Sequence, residues 1–503
     1  IGYYHFLLVR SYGPVILVKE EPSLITPADQ YAARSPYDEC VDYVCQMLDE
    51  AAEGLPATRV NEHYGLATNM AAKSIKARML LYAASPLFNG NSEFYADFKD
   101  KNGNALMSLT YDAGKWQKAK SAYEEAIRMA EAAGYGLYKK TDYMLDGYDN
   151  IEPVDPVQHT LRYTIIEPAN NEVIWADCRS EGAYSVQNKS LPFCNGSAYN
   201  GVAPTLTMLK RFYTKNGLPI DVDPDFPKGN GIYEPTAIGE ENAGIGDPEA
   251  QTIRFNLDRE PRFYASVAFN GALWNALSIK EEGGKDSRNK QIWYYRGATD
   301  GRINGSDNWC ITGIGIMKYV NPNDCAKWGG SIYQKVEPTL RYADILLMYA
   351  EALNNISEGT HYQVTSWDGS QTYDIFRDKE QMRRGVKPVR MRAGVPDYSD
   401  EVYENPKKFF EKIVHERQIE FFAETQRYYD LRRWKIVEEH EGEQIYGCNT
   451  LMNEEYKDMF YLPVRVAELQ TSFSRKQYFW PISFDELKRN NNLSQAPGWQ
   501  NYD

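Results

Sequence analysis

The chain has 503 residues, 43% of them hydrophobic and 25% charged, which places it among globular chains with a large core and outside the disordered class. Its 56 Lys and Arg against 70 Asp and Glu leave a formal charge of −14, the wrong sign for nucleic acid or anionic lipid as the main ligand. No apolar run approaches the roughly 18 residues that a membrane-spanning helix needs.

The chain opens Ile1-Gly-Tyr-Tyr-His-Phe-Leu-Leu-Val-Arg10, without Met or signal peptide, and residues 2–9 read as the middle of an amphipathic helix. A segment carrying any export signal or lipidation site is therefore expected to precede it. From Tyr37, apolar Val41, Val44, Cys45, Met47 and Leu48 fall near helical spacing. A second helix is expected over Asn69–Ala84, closed by Ser85-Pro86, and a third from Lys115 to Ala133, stopped at Gly134. Helices of this length at roughly 35–50-residue spacing suggest tetratricopeptide-like stacking.

From about 140 to 335 the texture changes to Gly, Pro, Asn and Asp, with short strand-like runs such as Glu172–Ala176 and Gly315–Val320. Such loop-rich regions commonly carry function on a rigid scaffold. A helix apolar on nearly every face then runs from Arg341 to Asn354, with Ala343, Ala350 and Ala352 letting neighbours approach closely. A basic, loop-like stretch follows at 378–400, then a long helix or helix pair over Pro406–Lys435, and a tail rich in Asn and Pro. Three regions result: helical hairpins at 1–140, a loop-rich ligand-binding subdomain at 141–335, and further hairpins with the tail at 336–503.

Several segments, in order, resemble the SusD/RagB family. They are Tyr3–Val18, Asn256–Phe263, Arg341–Asn354, Arg392–Pro396, Glu416–Glu424 continuing to Arg427–Trp434, and the tail segments Trp480–Leu487 and Leu493–Trp499. Glu260, Asp344, Ser483 and Ala496 depart from the family's usual residues. The resemblance implies a mostly α fold, in which a tetratricopeptide-like hairpin scaffold carries an irregular subdomain with short strands. It also implies a non-catalytic, lipid-anchored protein of the outer-membrane surface that binds oligosaccharide or polysaccharide. Delivery would be to a SusC-like TonB-dependent transporter, and contact with the membrane only through an N-terminal anchor outside this chain. A peptide-binding, RagB-like role is one alternative, and a scaffold for protein–protein contact alone is another.

Chemistry finds little foothold. Glu416, Glu420 and Glu424 share one helical face at spacings a glycosidase pair can use. Arg417, Arg427, Arg432 and Arg433 lie within reach, however, and favour ionised carboxylates in a structural ion-pair ladder. His415-Glu-Arg417 lacks the second His of a zinc motif, and Asp221-Val-Asp-Pro-Asp225 lacks the Gly and terminal Glu of a calcium loop. Seven scattered cysteines form neither a metal site nor a disulfide framework. No cofactor or metal is expected.

Glycans bind where an indole or phenol stacks on the sugar's C–H face and polar groups bond its rims. The chain holds 38 Tyr and 10 Trp, residues that combine a flat apolar face with a polar handle, although most of the tyrosines are assigned to helix seams. The loop-rich region supplies Trp274 after a Gly-containing turn and a plausible strand at Phe263–Phe269, then Trp293, Tyr295 and Arg296 in an aromatic run, then Asn308 and Trp309 among polar turn residues. Trp309 has the most polar neighbours and ranks first. Trp328 ranks lower, Trp175 sits in an apolar run and reads as buried, and Trp434 and Trp499 read as packing residues.

Overall fold

The computed structural model describes residues 1–501 apart from 22, 24, 141–154, 180–185, 197, 243, 279–280, 283–284, 287–288, 304–307, 328–329, 334, 367 and 443. Trp328 therefore lies outside the described residues. Ten helices carry the architecture. They are α1 (Gly2–Tyr12), α2 (Tyr37–Gly54), α3 (Asn69–Ala84), α4 (Gly114–Ala132), α5 (Pro156–Ile166), α6 (Pro261–Ser266), α7 (Tyr342–Asn354), α8 (Lys379–Arg392), α9 (Pro406–Glu420) and α10 (Gln426–Arg433).

Local chemistry explains their limits. Thr68 caps α3 by accepting from the Ala71 N–H at 3.1 Å, and Ser85-Pro86 ends the helix at Ala84. Asn405 caps α9 in the same way on Lys408, and Pro406 presets its first turn. Neighbours pack in succession, α1 on α2, α2 on α3, α3 on α4, α4 on α7 and α7 on α8. Every residue of α7 is buried, as its all-round apolar sequence requires. One core joins these elements, from Phe6 and Val9 through Tyr123 and Leu347 to Phe409 and Phe479, so residues early and late in the chain share it.

Two local expectations need correction. The basic stretch expected as a loop forms α8, whose buried Met382, Gly385, Val386 and Val389 follow helical spacing. Asp378 caps it on Gln381 at 2.8 Å, and Pro388 is tolerated because it lies on the exposed side, where water can satisfy the carbonyl it leaves free. The strand expected over Phe263–Phe269 is mostly α6, started by Pro261 at its first position.

Gly385 marks the closest approach of α8 to α7. A Cβ there would sit 2.5 Å from the Leu346 carbonyl oxygen and 2.9 Å from Ala350 Cβ. Gly385→Ala is therefore expected to lower stability by about 1–3 kcal/mol through overpacking, despite alanine's better helix propensity. Urea unfolding reads the loss, and an unchanged or raised midpoint would contradict the close packing.

The loop-rich part builds a second core around Phe212, Phe263, Trp274, Tyr294, Ile314 and Phe460. Its strands are short: β1 (Val173–Asp177), β2 (Val267–Ala268), β3 (Leu273–Asn275), β4 (Asn289–Gln291), β5 (Gly315–Ile316) and β6 (Glu337–Arg341). They pair antiparallel as β1 with β6, β2 with β5 and β3 with β4. Arg341 thus ends a strand, and α7 begins one residue later. Trp175 is half-buried in β1, its ring edge-on to Tyr3 at 4.7 Å and its indole N–H donating to the Gly65 carbonyl at 2.9 Å.

Candidate ligand-binding surface

Glu416 and Glu420 lie on α9, but that helix ends at Glu420 and Glu424 follows in the turn before α10, so the three do not share one helical face as expected. Together they form a buried ion-pair network. Glu416 accepts from Arg262 at 2.7 Å and from Arg390 at 2.5 Å. Glu420 accepts from Arg262, Arg341 and Arg392 at 3.1, 2.9 and 2.5 Å. Glu424 accepts from Lys318 at 2.7 Å and from Arg341 at 2.8 Å. Burial pushes the Glu416 carboxyl up, yet Arg262 and Arg390 outweigh it and hold it at about 2. Glu420 is likewise driven well below the carboxylate range, by Arg392, Arg341 and Arg262 against burial. Neither group can carry a proton at neutral pH, as a glycosidase acid must.

The ladder is structural, but its partners differ from the nearby arginines that helical spacing suggests. Arg417 turns to Asp344 and Asp430, Arg433 to Glu351 and Asp430, and Arg432 to Glu441. The cations that meet α9 come instead from residues 262, 318, 341, 390 and 392.

Of the residues expected at a ligand platform, the structure withdraws two. Trp274 lies in β3 and is fully buried in the second core. The turn before it, with Gly271 at φ +95°, feeds β3 into the core, so the indole has no face for a ligand. Tyr295 is 2% exposed. Its ring stacks on Trp293 at 5.7 Å and its hydroxyl lies 3.2 Å from that of Tyr461.

The remaining four lie at or near the surface. Trp293 is half-buried, backed by Tyr295, and its backbone N–H donates to Asp300 at 3.3 Å. Asp300 also accepts from the Cys194 N–H at 2.7 Å, and burial raises its carboxyl above the usual range. Arg296 is exposed, its backbone held to the Met452 carbonyl at 2.9 Å. The Gly297 N–H closes the turn on the Arg302 carbonyl at 3.1 Å. Asn308 is exposed, and Trp309 is half-buried with the Arg302 guanidinium 4.5 Å over its ring. Arg302 was missing from the expected set; a basic residue seven positions before Trp309 in the same polar loop was the available signal.

A cavity of about 230 Å³ was also illegible beforehand. Tyr3, Arg10, Tyr319, Thr339, Gln426 and Tyr429 help to line it, and Arg10 stacks on Tyr429 at 3.9 Å. Its walls come from distant segments that no local motif joins.

A helical scaffold that carries a loop-rich second core with half-buried indoles is a SusD-like architecture. The chain matches the structure of BT4246 with a TM-score of 0.81 at 28% identity, covering 99% of this chain and 82% of that one. A SusD-like protein from Bacteroides fragilis NCTC 9343 matches with a TM-score of 0.66 at 22% identity, covering 99% and 78%. The model of the SusD family (SusD_RagB) matches residues 171–499, and the chain belongs to that family. SusD-like proteins bind carbohydrate and are typically found at the cell surface. SusD-like protein P2 of Formosa agariphila is 30% identical over 165 residues, which is 32% of this chain and 25% of that relative. No helix among the described residues is long and apolar enough to cross a membrane.

Proposed function

We propose that this protein captures a glycan at the outer-membrane surface and hands it to a SusC-like TonB-dependent transporter without altering it. The family supports the ligand class. The observation that carries the location is Trp309, half-exposed in a polar loop beneath Arg302, on the loop whose tied turn begins at Trp293. One or two sugars stacked on these indoles, at about 1–3 kcal/mol each by analogy with base stacking, make a weak site suited to exchange.

Affinity electrophoresis against a panel of plant, host and microbial polysaccharides tests the reading. One polysaccharide is expected to retard the protein, with at least tenfold weaker binding in Trp309→Ala and Trp293→Ala. The reducing-end content of that polysaccharide should stay constant. Retardation that persists in both folded variants would remove the site from this turn, and failure to bind any glycan would reject the ligand class.

A further inference from the structure

A second pocket, of about 180 Å³, is built on the helical scaffold and not on the loop-rich core. Phe94, Tyr95, Tyr478 and Phe479 form aromatic walls, with Phe94 5.2 Å from Tyr478 and Tyr95 stacked on Phe479 at 5.8 Å. Tyr95 is 3% exposed, and its buried hydroxyl has no hydrogen-bond partner among the described residues. A buried phenol left unpaired costs stability unless something else bonds it.

The rim is cationic. Lys435 and Arg475 lie 4.5 and 5.0 Å from the Phe94 ring centre, and Lys476 lies 4.4 Å over Trp499. Glu93 and Glu438 pair with Arg475, and Glu93 also with Lys435. Lys476 makes no ion pair among the described residues. Three cations against two carboxylates leave a local charge of +1 on a protein whose total is −14.

The rim is held in place by its own hydrogen bonds. The Trp499 indole N–H donates to the carbonyls of Lys476 at 2.7 Å and Phe479 at 3.1 Å. Gly498, at φ +79°, permits the approach, since a Cβ there would sit 2.9 Å from Lys476 Cβ.

We propose that this pocket binds one pyranose ring bearing a carboxylate, a uronate residue of an acidic glycan, as a subsite separate from the 293–309 turn. The carboxylate pairs with Lys476, a C–H face of the ring lies against Phe94, the half-buried ring of the wall, and a ring hydroxyl bonds Tyr95. An acidic peptide side chain would satisfy Lys476 but brings neither the ring face nor the hydroxyls that the walls and the phenol await. The inference rests on the glycan-binding reading above.

Titration calorimetry with trigalacturonate, and with its methyl ester, tests it. Wild type is expected to bind the acid at least tenfold tighter than the ester, with the difference shrinking at high salt. Lys476→Gln should abolish that preference, while Trp309→Ala should keep it; Lys476 is exposed, so the folded state survives. Equal binding of acid and ester, or a preference unmoved by Lys476→Gln, would overturn the subsite. Because Trp309→Ala reports on the main turn and Lys476→Gln on this pocket, the placement of the main site and the subsite fail separately.

Discussion

Replacing Arg341 by leucine is expected to lower the free energy of unfolding by about 3–5 kcal/mol, the usual cost of breaking a buried ion pair from one side. Arg341 is 3% exposed and donates to Glu172, Glu420 and Glu424 at once. Those acids keep other partners, with Arg392 on Glu172 and Glu420, Arg262 on Glu420 and Lys318 on Glu424. What is lost is one positive charge from a site where water cannot replace it, so the remaining carboxylates repel without screening. The exposed pair Lys408–Glu401 is the contrast: breaking it should change stability by less than about 1 kcal/mol. Denaturant titration of the two variants decides the matter. If Arg341→Leu moves the midpoint no further than Lys408→Ala, the network contributes no stability. Adding Glu424→Gln to Arg341→Leu should restore part of the loss, because it removes one of the stranded charges.

Acid is expected to destabilise the protein steeply between about pH 4 and pH 2. Burial pushes the Asp344 carboxyl up, but Arg78 and Arg417 overcome it and hold the group at about 2, as Arg262 and Arg390 do for Glu416. A carboxyl depressed in the folded state stabilises it fully above its unfolded value, near 4.5 for Glu and 3.8 for Asp. That contribution is lost as pH falls through the folded value. For Glu416 the difference of about 2.5 units, at about 1.4 kcal/mol each, is on the order of 3 kcal/mol. Glu420 adds in the same sense, being depressed further. Glu260 opposes them: burial and Glu416 outweigh Arg262 and raise it, so its protonation relieves a cost. Burial raises Asp300 and Asp324 as well, the latter to about 6. Acidification therefore first relieves these three groups, and the net loss falls below about pH 4, where Asp344, Glu416 and Glu420 titrate. Unfolding free energies at pH 7, 5, 4 and 3 should trace it, and Glu416→Gln should flatten the profile. An unchanged profile in that variant would assign the acid sensitivity elsewhere.

How much of this was legible depended on whether the deciding interaction was local. Helix α3 could be bounded because its Thr68 cap and Ser85-Pro86 stop sit in the sequence beside it. The ordered motifs from Tyr3 to Trp499 carried the family. Helix α8 reads in the sequence as a basic, loop-like stretch, whereas its Pro388 faces solvent and its Gly385 is the contact point with α7. The inward direction of Trp274 and Tyr295 depends on which side of a short strand or turn meets the second core, and local alternation cannot specify that. Arg262, Arg341 and Arg390 could not be assigned to α9 for the same reason, since more than a hundred residues separate the first from the helix it serves.

The Arg34 side chain donates to the carbonyls of Pro14, Tyr12 and Ser494, and the Trp480 backbone N–H donates to the Ser11 carbonyl. Asn490 and Asn492 add bonds to the backbone of Ala32 and Tyr31. Residues made hundreds of codons apart thus complete one another's hydrogen bonds. On the ribosome, the first hairpin must wait with Phe479's seat beneath Gly13 unfilled until translation has nearly finished. A chain exported before it folds never meets that delay, because both halves of the clasp are present when folding starts.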